Sequence, residues 1–321
     1  MREDRFIIKV VEMHYIQGMS QVEISQRLGV SRTTVSRTLA QARQRRYIEF
    51  KVNYPDTVTP GSESNLEQKF GLKEAVVVTE KSDSDMDQEI AFFASDYLFR
   101  VMKNHMTLAY ASGRALKNLA DCMKNDVRLK FLELSDVKVV PLIATYNAAE
   151  NVSMKHRMAY SNYSMDLIAQ LLEGRVYHLL MPPIVSSKQI RDDFFQEPSI
   201  REIVSRIERA DVAVVGIGTL QEESAGIYAN MIGMEEFDRL SKKGGVSEFL
   251  LHVIDKDGQI VDDEYEYHVT SIDLEKFKKI PIRIGVAYGM EKKEAILASL
   301  RGGLINVLIT DEHVAEYLAE V

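Results

Sequence analysis

The 321-residue sequence predicts a mixed α/β protein, a small all-α head joined to a large domain built on a parallel sheet. Two observations predict it. Residues 5–39 place apolar side chains at helical spacing between capping residues and a glycine stop. Beyond residue 64, runs that are apolar nearly throughout alternate with helical segments, as in a parallel sheet covered on both faces. Between the two, Tyr54–Ser64 (YPDTVTPGSES) combines two prolines, a glycine and several hydroxyl residues, a linker composition. The expected division is a head over 1–55, a linker over 56–64 and a large domain over 65–321.

In the head, residues 5–17 form a first helix that offers Ile7, Ile8, Val11, Tyr15 and Ile16 to a three-helix core. Met19–Arg37 (MSQVEISQRLGVSRTTVSR) then spells a helix, a tight turn and a second helix. Ser20 followed by Glu23 is a capping box. Val22, Ile24 and Leu28 supply an apolar face, and Gly29 sits where a left-handed residue stops the helix. Val30 packs under the turn, and Ser31 caps a helix running through Val35 and Leu39. Ser31, Arg32, Thr33, Thr34, Ser36 and Arg37 are left at the exposed front of that helix, with Gln21 opening the helix before it. Short hydroxyls and arginines there suit base edges and phosphates in a major groove. The pattern is a helix-turn-helix, and these seven residues are the expected DNA contacts. Ala42–Arg46 is basic, and Tyr47–Asn53 alternates as a strand, a candidate wing.

In the large domain the expected strands are Glu74–Thr79, Thr107–Ala111, Val137–Leu142, Arg175–Leu180, Val212–Ile217, Arg283–Ala287 and Asn306–Thr310. The expected helices are Gln88–Lys103, Arg114–Lys124, Met165–Glu173, Ile200–Arg209, Glu291–Leu300 and Glu312–Ala319.

Charge separates the two parts. Residues 1–55 hold ten Lys and Arg against five Asp and Glu, and the remainder holds 30 against 43. A basic head on an acidic body is the footprint of a chain that meets phosphate at one end only. The 45% hydrophobic and 27% charged content is ordinary for a globular protein, and no apolar run reaches membrane-spanning length. The start, MREDRFIIKVVEMHY, lacks a signal-peptide shape, and the lone Cys122 fits a reducing compartment, so a cytoplasmic location is expected. Seven scattered histidines show no short metal-ligand spacing, so neither metal nor cofactor is expected.

Ligands of parallel sheets sit beyond the carboxyl ends of the strands, and three such ends stand out. In Thr107–Leu116 (TLAYASGRAL) a strand leads through Ser112 and Gly113 into a helix at Arg114, where small residues, a helix terminus and a guanidinium suit a phosphate. In Asp211–Leu220 (DVAVVGIGTL) Gly216 and Gly218 bracket the end of a buried strand, without the third glycine of a dinucleotide fingerprint. In Arg283–Lys292 (RIGVAYGMEK) a lysine falls in the first helical turn, which is unfavourable unless an anion compensates it.

Together these segments resemble the SorC family of sugar-binding transcriptional regulators. The head resembles it at HYIQGMSQVEISQRLGVSRTTVSRTLAQAR, and the body at DVAVVGIGT, GGVSEFLLHVIDKDG and IGVAYGMEKKEAILASLRGGLINVLITDEHVAEYL. The resemblance implies a Rossmann-like α/β effector domain of the sugar-phosphate isomerase and glucosamine-phosphate deaminase type. It also implies a phosphorylated sugar as effector, operator DNA as partner and self-association as dimer or tetramer. Carried over by position, the effector residues are Ser112, Gly113, Arg114, Gly216, Gly218, Thr219, Glu248 and Lys292, with Asn162 ahead of the central helix. The chain departs from the family's pattern where it has Ser-Gly-Arg-Ala in place of Trp-Gly-Arg-Thr, which removes one hydroxyl donor. It departs again with Ala287-Tyr288-Gly289 in place of Ala-Gly-Gly, where Tyr288 narrows the expected pocket.

The rival class is an isomerase or deaminase with a fused DNA-binding head. Such chemistry needs a positioned acid and base. The loop after DVAVV offers Gly216, Ile217, Gly218 and Thr219 instead, and Glu248 stands alone, so no catalytic residue is assigned. An effector-free DNA-binding module is the third reading, and the strand-end glycines and cations weigh against it.

Overall fold

The computed structural model describes residues 2–48, 61–79, 85–124, 126–131, 134–144, 162–220 and 233–321. The chain divides after Pro55 into two compact units. In the first, α1 (Arg2–Val11) passes into a π-turn over Glu12–Ile16, and α2 (Gln21–Leu28) and α3 (Arg32–Gln44) follow. Val10, Met13, Ile24, Val35 and Leu39 form the core, with Ile7 also buried. The expected stripe is corrected in part. Ile8 is exposed, and Ile16 is 78% exposed because the wider turn falls behind the 3.6-residue period and carries it off the core face. Val22, assigned to the apolar face of α2, is also exposed. Tyr47 and Ile48 leave α3 without strand structure, and the rest of the expected wing, residues 49–53, lies outside the described residues. The Tyr47 hydroxyl donates to Asp4 at 2.8 Å, tying the end of the head back to α1.

The second unit opens with a helix where the linker was expected to continue. Residues 56–60 lie outside the described residues, but 62–64 belong to α4 (Ser62–Phe70). Its carboxylates explain its place. Glu67 and Glu63 each accept a backbone N–H, from Ala75 and Val77 respectively, at 3.0 Å. Those amides belong to β1 (Glu74–Val78), an edge strand, so α4 covers donors that would otherwise invite another chain.

The sheet then builds through α5 (Met86–Val101), β2 (Thr107–Tyr110), α6 (Arg114–Lys124), β3 (Lys138–Pro141), α7 (Tyr163–Leu171) and β4 (Arg175–Val176). Next come α8 (Lys188–Gln196), α9 (Pro198–Ile207), β5 (Val212–Gly216), β6 (Gly218–Thr219), α10 (Met234–Lys242), β7 (Ser247–Phe249) and β8 (His252–Ile254). Short α11 (Asp263–Glu266) and α12 (Leu274–Phe277) precede β9 (Ile282–Val286), α13 (Lys293–Arg301), β10 (Val307–Asp311) and α14 (Glu312–Glu320). Seven parallel strands lie in the order β1-β10-β9-β5-β2-β3-β4, which confirms the parallel α/β expectation. All seven expected strands are present, but β4 is cut to two residues, and Leu180, assigned to it, is 79% exposed.

From β2 the chain winds outward through β3 to β4, and from β5 it winds the other way through β9 to β10. The switch point therefore lies between β2 and β5, the place where such sheets leave a crevice. Beside it β6, β7 and β8 form a small antiparallel sheet that sequence periodicity did not reveal, since its strands are two or three residues long. No helix among the described residues is long and apolar enough to cross a membrane.

Candidate functional site

The head presents one polar face. Ser20 accepts the Glu23 N–H at 3.3 Å while Glu23 accepts the Ser20 N–H at 2.7 Å, the reciprocal capping box. That contact holds the Glu23 carboxyl below its ordinary range. Gly29 stops α2 at φ 64°, and Ser31 starts α3 by accepting the Thr34 N–H at 3.1 Å. The hydroxyls of Ser31 and Thr34 also meet at 2.8 Å, so this pair is partly occupied in shaping the turn. Val35, Thr38 and Leu39 face inward, which turns Arg32, Thr33, Ser36 and Arg37 to the outside. Gln21 is half-buried at the first position of α2. Among the described residues neither Arg32 nor Arg37 is engaged by a carboxylate, so both remain available to phosphate or base.

In the body, the strand ends named from sequence follow β2, β5 and β9, which lie side by side in the sheet. Ser112 and Gly113 follow β2, with Gly113 at φ 140°, and α6 begins at Arg114, whose side chain is exposed. Gly216 ends β5 with open space around its α-carbon, whereas a side chain at Gly218 would meet Glu248 Oε2 at 2.6 Å. Gly218 pairs with Glu248 and Thr219 with Ser247 across β6 and β7, and β6 lies against the turn Met290–Lys292. Lys292 itself corrects the expectation. It sits at the end of that 3₁₀ turn and caps α13, rather than lying inside its first turn. Burial lowers its pKa and the Arg114 guanidinium lowers it further, while the carboxylates of Glu291 and Asp87 act in the opposite direction.

Tyr288 stands beside them. Its hydroxyl donates to Asp87 Oδ1 at 2.5 Å, and its ring lies 5.9 Å from the Lys292 ammonium. Asp87 also accepts the Asn118 side-chain amide at 3.3 Å, which joins the start of α5 to α6. Sequence reasoning noticed Tyr288 but not Asp87 or Asn118, because their neighbours are set by helix packing 31 and 201 residues away. Asn162 precedes α7. Its amide meets His178 Nδ1 at 2.8 Å, ahead of α7 and beyond β4.

Glu248 is buried, and one of its oxygens accepts the Leu251 N–H. It thereby closes the hairpin between β7 and β8, whose two central residues, Leu250 and Leu251, have φ 56° and 71°. The Leu250 carbonyl accepts the Ser271 hydroxyl at 2.6 Å and the Leu251 carbonyl accepts the Tyr265 hydroxyl at 2.9 Å. A second buried group adjoins this turn. His252 Nδ1 meets Glu266 Oε2 at 2.6 Å, and its Nε2 meets both the Ile272 carbonyl and Ser271 Oγ at 2.9 Å. A serine, a histidine and a carboxylate in sequence of contact suggest a hydrolase. The proton positions oppose it. A carbonyl only accepts, so Nε2 carries hydrogen and cannot take a proton from Ser271, whose own hydrogen points to Leu250. His252, Glu266 and Ser271 line a cavity of about 800 Å³ between α8, α9 and the segment 260–276, which none of the expected effector residues lines.

Residues 60–320 match the family model described as "Putative sugar-binding domain", and residues 9–45 match that of sigma-70 region 4. The sorbitol operon regulator of Klebsiella pneumoniae is 28% identical over 316 residues, covering 98% of this chain and 97% of that protein. The transcriptional regulator LsrR of Escherichia coli is 28% identical over 319 residues, covering 98% and 94%. The crystal structure of full-length SorC from Klebsiella pneumoniae aligns over 98% of both chains with a TM-score of 0.71 at 27% identity.

Proposed function

This chain belongs to the SorC family of sugar-binding transcriptional regulators, and we propose that a phosphorylated sugar held between Arg114 and Lys292 controls its hold on an operator. It is a DNA-binding regulator rather than an enzyme, and its sugar-binding domain makes it sugar-responsive. The observation that carries the finer reading is that Lys292, largely buried after β9, has its pKa lowered first by burial and then by the Arg114 guanidinium at the start of α6. A phosphate between them relieves that repulsion, and the amides at the start of α6 add to it. Gly113 and Gly216 leave room for the ligand, while Thr219 and Glu248 stand on the adjoining small sheet.

In the head, Gln21, Ser31, Arg32, Thr33, Thr34, Ser36 and Arg37 form the proposed DNA face. One hairpin contacts too few bases for genomic specificity, so a dimer or tetramer engages half-sites separated by whole helical turns of about 34–36 Å. The effector acts by binding one quaternary arrangement better than the other. A differential of about 1–3 kcal/mol changes operator affinity five- to 150-fold.

The test is titration calorimetry with phosphorylated sugars and their unphosphorylated parents on the full chain, Arg114→Ala and Lys292→Ala. Both variants keep operator binding and lose the response to effector. Equal affinity for sugar and sugar phosphate, or no effect of either substitution, places the pocket elsewhere.

A further inference from the structure

We propose that Tyr288 and Asp87 form an internal charge gate that admits one phosphoryl group to the pocket and rejects a second. This inference rests on the pocket reading above and adds the rule by which the pocket selects its ligand. Three observations carry it. Tyr288 reaches from the end of β9 to Asp87 at the start of α5, with a 2.5 Å hydrogen bond between half-buried groups. Asp87 spends its other oxygen on Asn118, which lies one helical turn beyond Arg114 on α6. The same carboxylate acts on Lys292, whose ammonium faces the Tyr288 ring. A single hydrogen-bonded chain, Asn118–Asp87–Tyr288, thus spans the gap between the two cation-bearing turns.

The charges around that gap are unequal. Arg114 and Asp87 both act on Tyr288 and on Lys292, and Glu291 lies beside Lys292 with its carboxylate folded over Gly289, where a side chain on that glycine would begin. Asp85, which caps α5, also acts on Tyr288. One phosphomonoester, carrying about −1.5 to −2 charges near neutral pH, is matched by the two cations. Among the described residues, the other charges that act on Tyr288 and Lys292 are the carboxylates of Asp87, Asp85 and Glu291, which repel a second phosphoryl group. Tyr288 keeps this arrangement fixed. Its hydroxyl satisfies Asp87, so the carboxylate does not swing onto Arg114 and Lys292 and occupy the phosphate's place.

Opposite effects are therefore expected from the two partners. Asp87→Asn removes the repelling charge and raises affinity for a polyanion relative to phosphate by roughly tenfold, the effect of one unit charge within several ångströms at a partly solvated site. Tyr288→Phe frees the carboxylate to compete, so phosphate affinity falls several-fold. Adding Asp87→Asn to Tyr288→Phe removes that loss. The probes are inorganic phosphate and pyrophosphate, titrated at constant ionic strength against the full chain by calorimetry and by the ligand-dependent rise in melting temperature. Circular dichroism confirms that each variant is folded.

Preference for phosphate over pyrophosphate in the native chain, lost in Asp87→Asn and weakened binding in Tyr288→Phe, supports the gate. An unchanged ratio in Asp87→Asn, or an unchanged phosphate affinity in Tyr288→Phe, overturns it. Failure of the pocket itself reads differently. Phosphate binding that survives Arg114→Ala with Lys292→Ala, or no binding of either anion at tens of millimolar, removes the site and the gate together.

Discussion

Leu251→Gly tests how the buried hairpin holds Glu248 against Gly218. Leucine at φ 71° costs about 1–2 kcal/mol over a right-handed residue, and glycine would recover it. The usual rule therefore favours glycine. Packing reverses the sign. Leu251 is 1% exposed in a cluster with Leu240, Val253, Tyr265 and Val269. Truncating a buried leucine to alanine costs about 2.7–5.0 kcal/mol, and the added chain entropy of glycine costs about 0.4–1 kcal/mol more. The balance is a net destabilisation of about 1–5 kcal/mol. Differential scanning calorimetry of the full chain reads the body transition directly, and Gly29→Ala provides the control. At φ 64° with nothing within 4 Å of the added methyl, Gly29 carries a conformational cost alone, about 1 kcal/mol, in the head. A neutral or stabilised Leu251→Gly would refute the claim that side-chain burial outweighs backbone strain in this turn.

Arg37→Ala should weaken operator binding. If the guanidinium meets phosphate, the loss is similar on every sequence and the salt slope becomes shallower by about one unit; if it reads guanine, one base pair loses about 1–3 kcal/mol of discrimination. Unchanged affinity of a combined Arg32, Thr34 and Arg37 variant in fluorescence anisotropy would dismiss the recognition face. The body should lose stability as pH rises. Burial opposes charge on His252, but the Glu266 carboxylate and the Ile272 carbonyl outweigh it and hold the imidazole pKa above its ordinary 6.5. A pKa raised by folding contributes stability fully below the unfolded value and loses it as pH climbs through the folded value. Melting temperatures of the native chain should therefore fall between pH 6.5 and alkaline pH, and His252→Gln should flatten that dependence. A parallel fall in both proteins would contradict the assignment.

The head was legible because its determinants are local. A capping box, a left-handed glycine and a second serine cap each act within four residues, and all three stand where the spacing placed them. The sheet was legible for a related reason. Strands buried on both faces are apolar throughout, so seven of them could be located without knowing their order. Legibility failed where structure depends on partners distant in sequence. The residues read as the end of the linker form a helix because Glu63 and Glu67 find the unpaired amides of β1, which composition cannot report. The small sheet escaped because strands of two or three residues carry no period.

For the candidate site, sequence by itself identified the cations and glycines at the strand ends, since strand, turn and helix start are contiguous in the chain. Only the tertiary structure decided which of them meet. Parallel order carries β2, β5 and β9 side by side and sets Arg114 within electrostatic reach of Lys292, 178 positions later, while Asn162 turns to His178. Helix packing likewise brought Asp87 under Tyr288 across 201 positions. Capping, helix period and burial are properties of neighbouring residues, and a sequence states them directly. The charge balance of a pocket depends on distances between remote segments, and those exist only after the sheet has closed its order.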